Sequence, residues 1–118
     1  MGAITKQMIE KVYEVGISLY NGEIGKQEAK ERINRSTGMD LGSCNDYLTV
    51  LCALLDGSEY HRTINAMATE YFLQSIESDL GVERRKKAAF AVREHAKYYA
   101  TLGHGHQRRI EKLAEIYK

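Results

Sequence analysis

The chain has 118 residues, a formal net charge of +1, 43% hydrophobic residues, and neither proline nor tryptophan. This length is typical of one compact domain, and the apolar fraction is too high for a disordered segment. No apolar run approaches the ~18 residues of a bilayer span, and the N-terminal residues lack the apolar stretch of a signal peptide. Two cysteines make no disulfide framework, so we expect a cytoplasmic protein without a membrane partner.

The charge is distributed unevenly along the chain. Residues 1–58 sum to −2 and residues 59–80 to −3, whereas residues 81–118 contain ten Lys or Arg against four Asp or Glu and sum to +6. An anionic partner would therefore approach the C-terminal third first. The alternative interpretation of this charge is a solvated helix surface that binds nothing.

Apolar residues recur at intervals of three and four through the first half of the chain, which is typical of amphipathic helices. The first predicted helix covers about residues 5–21, and Asn21-Gly22 ends it. The second covers about residues 26–35, a turn follows over residues 36–41, and the third helix covers about residues 42–55. The second and third helices together predict a unit that resembles a helix-turn-helix.

The same spacing continues through the second half. It predicts helices over about residues 60–79, residues 82–101, and from about residue 106 onward, with Gly81 and Gly103 between them. No segment alternates with the period of two that a strand requires. The sequence therefore predicts an all-α protein, a single compact domain over residues 1–118 with about six helices and a helix-turn-helix-like N-terminal half.

Residues suited to catalysis are sparse. His104 and His106 stand two apart in a glycine-rich turn, which supplies only two metal ligands, and no Cys-x-x-Cys pair is present. Cys44 lies near the start of the third helix, where the helix dipole would lower its thiol pKa, but no histidine is placed beside it. We therefore predict no catalytic residues, no metal, no cofactor and no enzyme activity.

Two basic segments in the C-terminal third predict binding of an anion. Arg84, Arg85, Lys86 and Lys87 occupy the first turns of the fifth predicted helix, where cations oppose the helix dipole. Four cations at that end reduce helix stability slightly, which is unexpected if they serve solubility alone. This run therefore predicts contacts to phosphates of a nucleic acid.

The second basic segment joins a glycine turn to the start of the last predicted helix. It contains His104, Gly105, Arg108 and Arg109. Backbone N–H groups at a helix start bind anions, and two arginines follow directly. We predict that this segment also contacts phosphates, although glycine-basic turns are common on solvated surfaces.

The third predicted helix offers residues that could recognise bases. Ser43, Asn45 and Thr49 lie on its outward face, and Asn can bind adenine through two hydrogen bonds while Ser and Thr reach bases or phosphates. Two observations oppose this interpretation. The predicted turn is longer than the three or four residues of a helix-turn-helix, and this half of the chain is acidic.

The fourth and fifth predicted helices carry the strings Arg62-Thr63-Ile64-Asn65-Ala66 and Ala68-Thr69-Glu70-Tyr71-Phe72-Leu73, followed by Gly81, His95, Tyr98-Tyr99 and Gly103-x-Gly105. With them, residues 20–118 resemble a helical module that accompanies the nuclease domain of bacterial HNH-type restriction endonucleases and related mobile-element proteins. The resemblance implies a DNA-associated domain, with sensing of a modified base as a further implication, from a defence or anti-defence context. No HNH metal site is found in the sequence, so the resemblance implies the accessory module without cleavage.

Tyrosines leave a second class of function open. Tyr98 and Tyr99 point to neighbouring faces of their helix, and an exposed Tyr98 could stack on a base. The alternative is a core aromatic with a hydrogen-bonded hydroxyl. Eight tyrosines also suit a protein–protein surface. The predicted partner is therefore a nucleic acid, with a protein-binding adaptor or inhibitor, such as a phage-type anti-defence factor, as the alternative; a homodimer stays open.

Overall fold

The computed structural model describes residues 3–103 and 105–118, and over these residues the chain forms six α-helices and no strand. They are α1 (Lys6–Tyr20), α2 (Lys26–Thr37), α3 (Leu41–Asp56), α4 (Ala66–Leu80), α5 (Val82–Ala100) and α6 (Arg108–Tyr117). The all-α prediction with about six helices is confirmed. In the described part of the chain, no helix has both the length and the apolar character that crossing a bilayer requires.

Contacts between Cα atoms divide the chain into two compact units, one ending at Cys52 and the other beginning at Ala53. In the N-terminal unit, α1 packs along α2. In the C-terminal unit, α5 packs against both α4 and α6, and α4 also contacts α6. The single domain over residues 1–118 stays a prediction from the sequence.

The N-terminal unit has an apolar core formed by α1, α2 and the part of α3 that ends at Cys52. α1 begins at Thr5, whose Oγ1 accepts a hydrogen bond from the backbone N–H of Met8 at 3.1 Å. Residues of the predicted stripes are fully buried, among them Ile9, Val12, Ile33, Leu48 and Leu51. The spacing of apolar residues therefore predicted the buried faces of these helices correctly.

The connection between α2 and α3 is three residues long, shorter than the predicted turn. α2 ends at Gly38, whose φ of +81° lies in the left-handed region that glycine adopts without steric cost. Asn34 Nδ2 donates to the carbonyl of Met39 at 2.9 Å, and Asp40 Oδ2 accepts from the N–H of Ser43 at 3.1 Å as α3 begins. This length suits a helix-turn-helix, but that arrangement stays a prediction.

The fourth helix begins six residues later than predicted, at Ala66 instead of residue 60. Asn65 sets this boundary because its Oδ1 accepts a hydrogen bond from the N–H of Ala68 at 2.8 Å. Residues 57–65 are irregular, yet Tyr60 and Ile64 bury their side chains in the core. Buried residues four apart imitate a helical stripe, which explains the error. α6 likewise begins at Arg108, two residues after the predicted start.

A substitution at Gly16 tests how closely the helices of the N-terminal unit pack. A Cβ at this position would collide with Cδ2 of the fully buried Leu51. We expect Gly16→Ala to reduce the free energy of unfolding by about 1 kcal/mol, because overpacking costs about 1–3 kcal/mol and Ala recovers about 1 kcal/mol of helix propensity. Urea denaturation measures the change, and Gly42→Ala, at an exposed position in α3, is the control. Equal stability of the two variants would contradict the predicted overpacking.

Candidate nucleic-acid interface

The first two arginines of α5 are engaged in contacts within the C-terminal unit. Arg84 Nη2 donates to the carbonyl of Leu55 at 2.8 Å, close to the end of α3. Arg85 Nη1 lies 3.3 Å from Glu77 Oε1, its Nη2 donates to the carbonyl of Lys118 at 3.2 Å, and its side chain is only 16% exposed. Both guanidinium groups therefore connect elements of the fold. Their predicted contact with nucleic acid stays a prediction.

The two lysines that follow are exposed. Lys86 Nζ lies 3.7 Å from Glu83 Oε2, one turn earlier on the same surface. The alkyl stem of Lys87 lies so close to Gly57 that a side chain at Gly57 would collide with it. Long cationic side chains commonly cover apolar or backbone surface with their stems while the ammonium group stays in water. Both ammonium groups are therefore accessible to an anion.

The start of α6 presents a cluster of cations. Arg108, Arg109 and Lys112 are exposed, and among the described residues none of their side chains has an ion pair or hydrogen bond. The carboxylates on the same helix have partners: Glu111 Oε2 lies 3.1 Å from His106 Nδ1, and Glu115 Oε1 lies 2.9 Å from Lys118 Nζ. We name Arg108, Arg109 and Lys112 the α6 cation cluster. Lys112 was missed in the sequence because it does not adjoin the basic pair: it is four residues after Arg108 and three after Arg109.

The turn before α6 holds the other predicted residues of this segment. His104 lies outside the described residues. Gly105 is exposed, with a φ of +93° that favours glycine. His106 is exposed and faces Glu111. Among the residues that the structure describes, no side chain caps the first turn of α6, so none of them satisfies its first backbone N–H groups as a capping residue.

The buried His95 connects this turn to the segment before α4 through hydrogen bonds. His95 is 1% exposed, and its Nδ1 lies 2.6 Å from the carbonyl of Tyr60, which requires a proton on Nδ1. Its Nε2 then accepts from Thr63 Oγ1 at 3.4 Å, and Thr63 Oγ1 accepts from Gln107 Nε2 at 2.9 Å. Burial lowers the pKa of His95, so the neutral imidazole fits this chain of hydrogen bonds.

The aromatic rings of α5 differ in accessibility. Tyr98 is half-buried and its ring stacks on His61, with centroids 3.8 Å apart and planes at 16°. One face of Tyr98 is therefore covered by another ring. Phe90 is 50% exposed, and the guanidinium carbon of Arg93 lies 5.5 Å from its centroid. Phe90 was missed in the sequence, although its spacing from Lys86 and Arg93 is a signal that places the three on one helix face.

A groove of about 410 Å³ lies on the surface between α5 and α6. Its α5 side contributes cations and its α6 side contributes carboxylates, with alanines between them. The lining residues are Arg93, Ala96, Lys97, Ala100, His106, Glu111, Ala114 and Glu115. Within the described residues, no group of three His, Cys, Asp or Glu side chains is placed to hold a metal ion.

The predicted base-recognising residues of α3 are partly engaged within the N-terminal unit. Ser43 Oγ donates to Asp40 Oδ1 at 2.7 Å, and Thr49 Oγ1 accepts from Lys26 Nζ. Asn45 is half-buried, and its role in base recognition stays a prediction.

Cys44 does not have the lowered thiol pKa that its position near the start of α3 predicts. It is fully buried, and its Sγ lies 3.6 Å from the carbonyl of Met39. Burial raises the pKa of the Cys44 thiol, and the negative charge of Asp40 raises it further. The expected lowering by the helix dipole is therefore wrong, because desolvation of the thiolate outweighs it.

Comparison of the chain with protein-family models, with curated proteins and with solved structures finds no match. The likeness to the helical module of HNH-type endonucleases accordingly stays an expectation that rests on the residues quoted for it.

Stability measurements can distinguish which of the four basic residues at the start of α5 support the fold. We expect Arg85→Ala to lower the free energy of unfolding by about 1.5–3 kcal/mol, because Arg85 makes charge-assisted hydrogen bonds at a mostly buried position. Lys86→Ala, the neighbouring control at an exposed position, should change it by less than about 0.5 kcal/mol. Chemical denaturation measures both variants. Equal effects would contradict the structural role of Arg85.

The buried His95 predicts a pH dependence of stability. Because burial lowers its pKa in the folded state, the unfolded chain binds a proton more readily. The contribution to stability is complete above about pH 6.5, the ordinary histidine value, and is lost as the pH falls from there through the folded-state pKa. We expect the urea midpoint to decrease between about pH 7.5 and 5.5, and His95→Gln to flatten that decrease. His106→Gln, an exposed control, should retain it; an unchanged slope in His95→Gln would refute the assignment.

Proposed function

We propose that this chain is a non-catalytic nucleic-acid-binding module, with DNA as its expected partner, and that the α6 cation cluster supplies much of the affinity. The observation that carries the proposal is the group of three exposed cations, without partners among the described residues, in the first two turns of one helix. Evenly spaced phosphates are the ligand that such a cluster suits best.

The placement of these cations is unfavourable for the helix itself. Arg108 and Arg109 lie in the first turn of α6, where the positive end of the helix dipole repels cations. Lys112 is four residues from Arg108 and three from Arg109, the spacings at which like charges repel on a helix surface. A bound phosphate would relieve both repulsions, and the first-turn N–H groups can donate to it. Binding of an anion therefore accounts for an arrangement that folding alone disfavours.

The four basic residues at the start of α5 do not share one proposed role, although the sequence alone suggests that they do. Lys86 and Lys87 are accessible and can add phosphate contacts, whereas Arg84 and Arg85 already donate to groups of the fold. Phosphate contacts position a protein without recognising sequence. Any preference among sequences would come from base contacts, for which Asn45 is the proposed residue.

The resemblance to a helical module of HNH-type endonucleases supports DNA as the partner and a bacterial or phage defence or anti-defence context. It also supports a role as an accessory module that binds without cleaving. Both statements belong to the proposal.

Exposed apolar side chains favour the second candidate, a protein-binding adaptor or inhibitor. Phe90, Leu102 and Ile116 in the C-terminal unit are between 45% and 60% exposed. Aromatic and aliphatic side chains of this kind anchor protein interfaces. A salt titration separates the candidates, because phosphate contacts weaken steeply with salt whereas an apolar interface does not.

The double variant Arg108→Ala/Arg109→Ala tests the α6 cation cluster. We expect its affinity for DNA to fall about tenfold per lost contact at low salt, to a similar degree for all sequences. The slope of log K against log salt should decrease by about one unit per lost contact. Fluorescence anisotropy with a labelled duplex measures both quantities.

The matched control for this experiment is Arg32→Ala/Arg35→Ala in the N-terminal unit. It removes the same charge from exposed arginines that pair with Glu28 and Glu31 on α2. We expect the control to bind DNA as the parent does. A double variant in α6 that keeps the parental affinity and salt slope would refute the proposal, and the adaptor would become the leading candidate.

A further inference from the structure

The outward face of α5 places an exposed aromatic ring among cations. Phe90 is half exposed, Lys86 lies one turn before it, and Lys97 lies two turns after it. The guanidinium carbon of Arg93 lies 5.5 Å from the ring centroid. At 3.6 residues per turn, the three cations lie within about 60° of Phe90 around the helix axis. An accessible ring is therefore flanked by positive charge along the helix.

The outward face of α5 has a net positive charge because its cations outnumber its carboxylates. Glu83 lies 3.7 Å from Lys86 Nζ, and Glu94 lies 3.4 Å from Lys97 Nζ and 3.7 Å from Arg93 Nε. Together with Lys87, the face carries four cations against these two carboxylates. The ion pairs are long and their cations are exposed, so phosphates can compete for the same ammonium and guanidinium groups.

The same cations reach toward α6. Arg93 and Lys97 line the groove between α5 and α6, and Glu111 lines its other side. Arg108 of the α6 cation cluster precedes Glu111 by three residues and so lies next to it on the helix surface. The ring of Phe90, beside Arg93, and the side chain of Arg108, beside Glu111, thus flank the groove on one surface of the C-terminal unit.

We infer, resting on the proposed function, that this surface binds single-stranded nucleic acid, with an unpaired base stacked on Phe90 and the adjoining phosphates on Lys86, Arg93 and Lys97. Proteins that bind single strands combine a positive track with aromatic rings on which bases stack. In a duplex the faces of the bases are stacked on one another, so the ring of Phe90 has no base to contact. Phe90, at 50% exposure, is more accessible than Tyr98, which is half-buried and stacks on His61.

The test compares one labelled oligonucleotide, single-stranded and as a duplex, by fluorescence anisotropy. The variant Phe90→Leu keeps an apolar residue of good helix propensity but removes the aromatic face. We expect its affinity for the single strand to fall about 5- to 150-fold, the equivalent of losing one stacked base. Its affinity for the duplex should stay within about twofold of the parent.

Two controls make the comparison specific to the ring. Phe90→Tyr keeps an aromatic face and should retain the affinity for the single strand. Met67→Ala removes another exposed apolar side chain of the C-terminal unit and should change neither affinity. Circular dichroism checks that every variant is folded.

The failure of this inference is distinguishable from the failure of the proposed function. If Phe90→Leu binds the single strand as tightly as the parent, or loses affinity equally for both forms, stacking on Phe90 is refuted. The loss of affinity in Arg108→Ala/Arg109→Ala would still uphold nucleic-acid binding in that case. A parent chain that binds neither form of DNA would overturn both proposals.

Discussion

The close approach of helices along the alanine-rich face of α5 is the constraint on which the C-terminal unit depends. Ala88, Ala89, Ala91 and Ala96 are buried, so α4 and α6 pack against a helix with little side-chain volume on its inner side. Val92 and His95 are also buried on this face, and its burial stabilises the unit through many dispersion contacts in a closely packed core. All long cationic residues of α5 must therefore lie at its edges or on its outer face.

That division by depth explains why neighbouring cations of α5 have different roles. Arg84 and Arg85 lie at the edge of the packed face, where backbone carbonyls and Glu77 are within reach of their guanidinium groups. Lys86 and Phe90 are on the outer face, where Glu83 pairs with Lys86, Arg93 lies over the ring of Phe90, and water or a ligand can also reach both. Hydrogen bonds from Gln107 through Thr63 to His95 connect α5 to the segment before α4 and to the turn before α6. The packing of α5 against its neighbouring helices therefore determines which of its side chains lie on the candidate surface.

The fold was largely predictable from the sequence, whereas the site was predictable only in part. Helical spacing of apolar residues identifies most of the buried side of the helices, but Tyr20 and Met67, which share that spacing, are exposed. It failed at residues 57–65, because Tyr60 and Ile64 enter the core from an irregular segment with helical spacing. A run of basic residues shows where charge is, but the tertiary partners of each charge are set by elements distant in sequence, such as Leu55 and Lys118 for the paired arginines. The exposure of Phe90 depends on the same packing.

The alanine face of α5 also bears on how this surface can diverge during evolution. Substitutions by larger residues at the inner positions would force α4 and α6 apart and would be removed by selection for folding. Substitutions at the outer positions, Phe90 and Lys97 among them, alter no core contact and are tolerated by the fold. The residues that pack in the core and the residues of the candidate surface thus lie on opposite sides of one helix. The outer residues of α5 can therefore change in sequence while the helix packing stays the same.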